Sequence, residues 1–180
     1  MFSKRRIFSQ VLVTLSLFLT ALAVSSVEAG ANAKSSGAQV IYADSLQNGW
    51  QPWGWAKAIN YKNAKPVHGG KMSIAVTITK GYDALYIHHA AFNTKGYRAL
   101  SFWANGGAKG GQMLQIQATV KGKPVKVVVE GPLAKKWSHI VVPLTALGVA
   151  NKSGVDGFWI QDHTGHPLPT FYVDDISLTY

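Results

Sequence analysis

Arg98-Ala-Leu-Ser-Phe-Trp-Ala-Asn105 runs into Gly106-Gly107, and Gln112-Met-Leu-Gln-Ile-Gln-Ala-Thr-Val120 follows Gly110-Gly111. Side chains on an extended chain point alternately to its two faces. In the first stretch Leu100 and Phe102 share one face, and Ser101, Trp103 and Asn105 the other. In the second, Leu114, Ile116, Ala118 and Val120 oppose Met113, Gln115, Gln117 and Thr119. The same split recurs where Phe158 and Ile160 oppose Trp159 and Gln161, and where Leu85 and Ile87 oppose Tyr86 and His88. Period-two alternation between paired glycines specifies strands with one buried face.

Outward from this point the chain reads as β throughout. Strands are predicted over 39–46, 53–61, 71–79, 84–91, 98–105, 112–120, 124–130, 137–142, 155–161 and 170–179. They are rich in Val, Ile, Tyr, Trp and Phe and separated by turn residues such as His68-Gly69-Gly70 and Asn151-Lys-Ser-Gly154. Only Leu133–Lys136 and Leu144–Val149 suit short helical turns. Ten short strands in about 140 residues, without repeat or linker, give an all-β, single-domain antiparallel β-sandwich. A jelly roll is the expected form, because the first and last segments are both strands and can pair.

The ends and totals bound the setting. Lys4, Arg5 and Arg6 precede an apolar run from Ile7 to Val24, and small residues follow at Val27-Glu28-Ala29 and Ala31-Asn32-Ala33. This has the form of a secretory signal peptide and leader over 1–33. A loose leader over 34–39 and a sandwich over 40–180 follow. The expected location is secreted, extracellular or periplasmic, with no stable membrane insertion once the signal is removed.

The formal charge is +10 with no cysteine, so disulfides play no part. Without Lys4, Arg5, Arg6 and Glu28, 15 basic residues stand against seven acidic ones, a net +8. That favours an anionic partner: an acidic or cell-wall polysaccharide, or a membrane surface. The lysines are scattered, with no run longer than two, which together with export argues against nucleic acid. A monomer is expected.

Six tryptophans remain to be explained, and Trp50, Trp53 and Trp55 fall within Asn48–Ala58 beside glycine and proline. Flat indoles stack on the apolar face of a sugar ring, and side-chain amides match vicinal hydroxyls. Trp53, Trp55, Tyr86, Trp103 and Trp159 are the expected stacking surfaces. His88, Gln115, Gln117 and Gln161 are the expected hydrogen-bonding partners. Trp53 and Trp55 share a face with Lys57, whereas Trp50 is expected to plug the end of the sandwich.

Four segments now fall in a recognisable order. They are Ile41-Tyr-Ala-Asp-Ser-Leu46, Val67-His-Gly-Gly-Lys-Met-Ser-Ile74, Tyr97-Arg-Ala-Leu-Ser-Phe-Trp103 and Phe171-Tyr-Val-Asp-Asp-Ile-Ser-Leu178. The set resembles the jelly-roll carbohydrate-binding modules with a galactose-binding-like fold. That resemblance covers essentially all of 40–180. It implies a non-catalytic module that holds a polysaccharide on a concave sheet or at a loop rim. It also implies a structural calcium ion, with oxygens from Asp44, the main chain around His68–Lys71, and Asp174 or Asp175, of which Asp175 is preferred. The opening Tyr-Ala-Asp-Ser carries fewer acids than such modules often have.

Catalysis finds little support. Glycoside hydrolysis generally uses two carboxylates flanking the substrate, and no pair falls on the tryptophan-bearing face. A small polysaccharide lyase is the runner-up, with His and Tyr bases available but Arg98 the sole arginine beyond the signal. Asp162-His-Thr-Gly-His166 is a weak zinc signal, and no Gly-x-Ser-x-Gly elbow or phosphate loop occurs. A structural matrix or cell-surface protein is the third alternative.

Overall fold

The computed structural model describes residues 38–180, so the expected signal peptide and most of the expected leader lie outside the described residues. Twelve strands run in chain order: β1 (Gln39–Ala43), β2 (Ser45–Leu46), β3 (Gln51–Pro52), β4 (Ala58–Asn63), β5 (Ser73–Ile78) and β6 (Ala84–Asn93). They continue as β7 (Ala99–Asn105), β8 (Leu114–Val120), β9 (Lys123–Glu130), β10 (Trp137–Pro143), β11 (Ser153–Asp162) and β12 (Leu168–Thr179). β1 begins at Gln39, where the first strand is expected and at the last residue of the expected leader.

All pairings are antiparallel and form two sheets. One sheet of seven strands has the order β10-β7-β12-β1-β2, with β5 also on β12 and β4 beyond β5. The other has five strands in the order β3-β6-β11-β8-β9. This is the expected sandwich, and the first and last strands pair through Gln39–Leu178 and Val40–Ser177.

The eight strands expected from residue 71 onward all form, displaced at their ends by a few residues. The two expected before them do not form as single strands. The stretch 39–46 breaks at Asp44, whose φ of 57° turns the chain so that β2 folds back on β1. The stretch 53–61 is irregular as far as Lys57 and enters β4 only at Ala58, while the short β3 lies ahead of it. Leu144–Val149 is a turn closed by Leu147 N–H to Pro143 O and Val149 N–H to Leu144 O, and no helix occurs among the described residues. No described helix, accordingly, is long and apolar enough to cross a membrane.

The aliphatic faces meet between the sheets as expected. Leu85, Ile87, Leu114, Ile116, Ala118, Phe158 and Ile160 come from the five-stranded sheet, and Leu100, Phe102, Ile74, Val76, Phe171 and Val173 from the seven-stranded one; all are buried. Burying each large apolar side chain contributes about 1.5–3 kcal/mol, which is what replaces disulfides here. Trp50 is buried too, with its ring against His89, Phe92 and Phe158, and so acts as the expected plug.

One junction shapes the seven-stranded sheet. β12 pairs with β5 from Leu168 to Val173 and with β1 from Ile176 to Leu178. The neighbour changes at Asp174-Asp175, where the register against β7 also shifts and Asp175 takes a φ of 48°.

Candidate functional site

The site begins with a backbone accident. Between β3 and β4 the chain stays on the edge of β6: Trp53 N–H donates to Tyr86 O at 2.9 Å, and Trp55 and Ala56 N–H donate to Ala84 O at 3.0 and 3.1 Å. Gly54 permits this approach. A Cβ there would lie 2.2 Å from Ile59 Cδ1 and 3.0 Å from Ala84 O. Trp53 and Trp55 are thereby held outward, 53% and 43% exposed.

Behind them stands a packed aromatic set. Trp53 stacks on His88 with centroids 3.6 Å apart and planes 5° from parallel. Trp55 meets Trp159 edge to face at 5.0 Å, and Tyr86 lies 5.7 Å from Trp159 and about 6 Å from Trp53 and Trp55. Tyr86 lies across β11 only because Gly157 has no side chain; a Cβ there would fall 2.3 Å from Tyr86 Cε2. The Tyr86 hydroxyl is hydrogen-bonded to Thr119 Oγ1 at 3.1 Å. Burial pushes its phenol above the ordinary value, the Thr119 bond works against that, and the Asp156 charge adds to it.

The glutamines continue the same face, with Gln161 opposite Gln115 and Trp159 opposite Gln117. Their amides bind one another. Gln115 Nε2 donates to Gln161 Oε1, Gln117 Nε2 reaches the same oxygen at 3.4 Å, and Gln161 Nε2 donates to Tyr82 O at 2.6 Å. Val127 and Val129 of β9, opposite Gln117 and Gln115, extend the face as exposed apolar groups.

The structure therefore gathers Trp53, Trp55, Tyr86, His88, Gln115, Gln117, Trp159 and Gln161 on the outer face of the five-stranded sheet. Trp103 is a correction. It lies on β7 in the other sheet, between His68 (3.8 Å, 15°) and His139 (4.8 Å, 17°). Both faces of its indole are covered, so it has none to offer a sugar. His88 also braces Trp53, and Gln161 also ties the face to its rim through Tyr82 O.

Tyr82 was missed. It is 57% exposed, holds a φ of 65°, and its carbonyl accepts from both Trp55 Nε1 (2.9 Å) and Gln161 Nε2. An aromatic inside the short turn Gly81-Tyr82-Asp83 was the available signal. Asp162 fixes this rim: it accepts from Tyr82, Thr164 and Gly165 N–H and from the Thr164 hydroxyl. Burial pushes the Asp162 carboxyl up, but these donors outweigh it and hold it below the usual carboxylate range. His163 and His166 of the same loop are exposed and not gathered as a metal site.

Asp44 and Asp175 lie on either side of Gly69-Gly70. Asp44 Oδ1 accepts from Lys71 N–H at 2.5 Å and Met72 N–H at 2.8 Å, which hold its carboxyl below the usual range. Asp174, fully buried, accepts from His68 and Gly69 N–H, and Asp175 Oδ2 lies 2.7 Å from His68 Nδ1. The left-handed turn at Asp175 brings both neighbours to one loop, although strict alternation would send them to opposite faces. Burial, then Asp174, Asp44 and Asp175, raise the Tyr42 phenol well above its ordinary value, so the three charges share one neighbourhood. Among the described residues no three His, Cys, Asp or Glu side chains are grouped closely enough to hold a metal by themselves. Hard carboxylate oxygens on either side of Gly69-Gly70 are nonetheless a donor type that calcium accepts.

No family model matches the chain. The chain is 31% identical over 148 residues to an endoglucanase of Dictyostelium discoideum. The match takes in 77% of the chain and 21% of that relative, so the chain spans about a fifth of the length of the curated relative it matches. Three solved structures share the architecture at low identity. A family 29 carbohydrate-binding module from Piromyces equi superposes with a TM-score of 0.55 at 14% identity, over 79% of this chain and 89% of that one. A mutant family 29 module complexed with mannohexaose gives 0.55 at 14%, over 79% and 90%. A family 11 module from Clostridium thermocellum, in complex with a β-1,3-1,4-mixed-linked tetrasaccharide, gives 0.53 at 13%, over 79% and 95%. The fold is that of these carbohydrate-binding modules.

Two outcomes follow from the geometry. Trp103→Ala is expected to cost about 2 kcal/mol of stability, seen as a lower urea midpoint, while retention of the folded protein on glycan gels stays unchanged. Asp162 has a folded pKa below its unfolded value, near 4. Its contribution is present above about pH 4 and is lost as pH falls through the folded value. Thermal unfolding followed from pH 7 to pH 2 should show that loss, and Asp162→Asn should flatten the acid limb while lowering Tm at neutral pH.

Proposed function

We propose that this protein binds polysaccharide without turning it over, and that the chain lies across the outer face of the β3-β6-β11-β8-β9 sheet. The observation that carries this is the pair of exposed indoles, Trp53 and Trp55, each backed by another ring. The bracing removes the cost of ordering the side chains when a sugar arrives. The fold supports the reading, because its solved neighbours are modules of this kind, two of them holding oligosaccharides.

The carboxylates argue against catalysis on this face. Asp83 accepts from Thr79 and Lys80 N–H, Asp156 from Gly122 N–H, and Asp162 from its own loop. Each is engaged by main chain, so no pair is left to act as acid and base. A lyase fares no better. His88 is stacked under Trp53, the Tyr86 hydroxyl is bound to Thr119, and Arg98 precedes β7 in the other sheet.

The net positive charge favours an acidic or cell-wall polysaccharide, met outside the cell by a monomer. Binding of micromolar strength or weaker is expected from a few weak contacts. A structural calcium between Asp44 and Asp175 would take its remaining oxygens from the main chain around His68–Lys71 and from water, and would tie β1, β12 and that loop together.

Affinity electrophoresis in gels holding glucan, mannan, mixed-linked glucan or polygalacturonate tests the main reading. The wild type should be retarded by at least one, and Trp53→Ala and Trp55→Ala should each weaken that by about tenfold. Equal mobility of wild type and both variants in every gel would refute it. For the ion, calorimetric Tm should fall on adding a chelator and recover with excess calcium but not magnesium; an unchanged Tm removes calcium from the account.

A further inference from the structure

Beside the indole platform lies an open cavity of about 420 Å³ that the platform itself does not use. It is lined by Trp55 and Lys57 ahead of β4, by Thr79 and Lys80 after β5, and by Asp83 at the turn into β6. Two of its lining groups are cationic and one is anionic. The Asp83 carboxylate is buried and turned to its own turn, where Oδ2 accepts from Thr79 N–H at 3.2 Å and Lys80 N–H at 3.1 Å. The sole ion pair among the described residues is His68–Asp175, on the other sheet. The ammonium groups of Lys57 and Lys80 thus have no carboxylate within ion-pair distance.

We infer that this cavity is a subsite for a carboxylate carried by a sugar residue whose ring lies against Trp55. The inference rests on the polysaccharide-binding reading and adds to it a chemical class and a place. An ammonium group donates hydrogen bonds and accepts none, so two of them with the Thr79 hydroxyl form a donor-rich wall. A neutral sugar would leave both ammonium groups to water. A carboxylate accepts from both and returns the missing counter-charge. Trp55 is the hinge of the arrangement: its indole N–H is fixed on Tyr82 O at 2.9 Å, so the ring meets the platform on one side and the cavity on the other. The same polymer could therefore stack on Trp53 and Trp55 while presenting its charge to Lys57 and Lys80.

The test compares carboxymethylcellulose with hydroxyethylcellulose, which offer one glucan backbone with and without carboxylates, and adds polygalacturonate. The wild type should prefer the carboxylated polymers by about fivefold or more at low salt. Lys57→Gln/Lys80→Gln should lose that preference and keep its binding to hydroxyethylcellulose. Lys109→Gln/Lys152→Gln removes the same charge from exposed positions outside the cavity and should keep the preference. The subsite falls if the first double variant still discriminates, if the control loses discrimination equally, or if the wild type shows none. Trp55→Ala separates this from failure of the platform. If it abolishes binding to all three polymers while the lysine pair changes nothing, the platform stands and the subsite does not. If it changes nothing, or if the wild type binds none of the three, the subsite falls, and the platform is decided by the glucan, mannan and mixed-linked glucan gels with Trp53→Ala beside Trp55→Ala.

Discussion

Three main-chain hydrogen bonds, from Trp53, Trp55 and Ala56 to the carbonyls of Tyr86 and Ala84, decide where the exposed indoles stand. They lay a non-repetitive segment along the edge of β6 where a regular strand would have fixed its own alternation. The segment fits only because Gly54 lets its backbone approach, and because Gly157 lets Tyr86 lie flat beneath it. A larger residue at either place would lift the indoles away from the rings that brace them. The edge of the sheet is also protected this way, since the Tyr86 and Ala84 carbonyls are taken by the covering segment.

A second constraint runs through the acidic residues. Six of the seven among the described residues accept hydrogen bonds from main chain or, for Asp175, from His68, and none is paired with a lysine. Asp162 and Asp44 organise turns; Asp174 seals the junction where β12 exchanges β5 for β1. Glu130 is the remaining one, half-buried on β9, and burial alone raises its carboxyl. Negative charge therefore serves architecture and positive charge is left on the surface. One distribution explains both the lack of an acid–base pair on the aromatic face and the field an anionic chain would meet.

Much of this was legible from residues alone, and the failures have definite causes. Alternation assigns a face to each strand, and it did so correctly for Leu100, Ile116, Phe158 and Leu85, all buried as expected. It cannot say to which of two sheets a strand belongs. Trp103 and Trp159 share a pattern but lie on opposite outer surfaces, because β7 pairs with β10 and β12 while β11 pairs with β6 and β8. The stacking of His68 and His139 on Trp103 joins residues 35 and 36 positions away, and no local pattern encodes it. The placing of Asp174 and Asp175 at one loop is hidden for a different reason: a left-handed residue breaks the period on which face assignment relies. Tyr82 escaped because turns were read for their conformation and not for what they expose.

On the proposed reading, the platform and its rim would divide the work of recognition. Rings already stacked or packed edge to face offer flat apolar contact that any sugar with an apolar face can use, which gives attachment with little discrimination. The glutamines behind them hydrogen-bond mainly to each other and to Tyr82 O, so they stiffen the face more than they read a ligand. Discrimination has to come from groups with unmet hydrogen-bonding or charge requirements. On this face those are the buried His88 Nδ1 and Trp159 Nε1 within the platform and, at the margin, the Lys57 and Lys80 ammonium groups. Change at the rim can therefore alter which polymer is held while the platform and the core beneath it stay as they are.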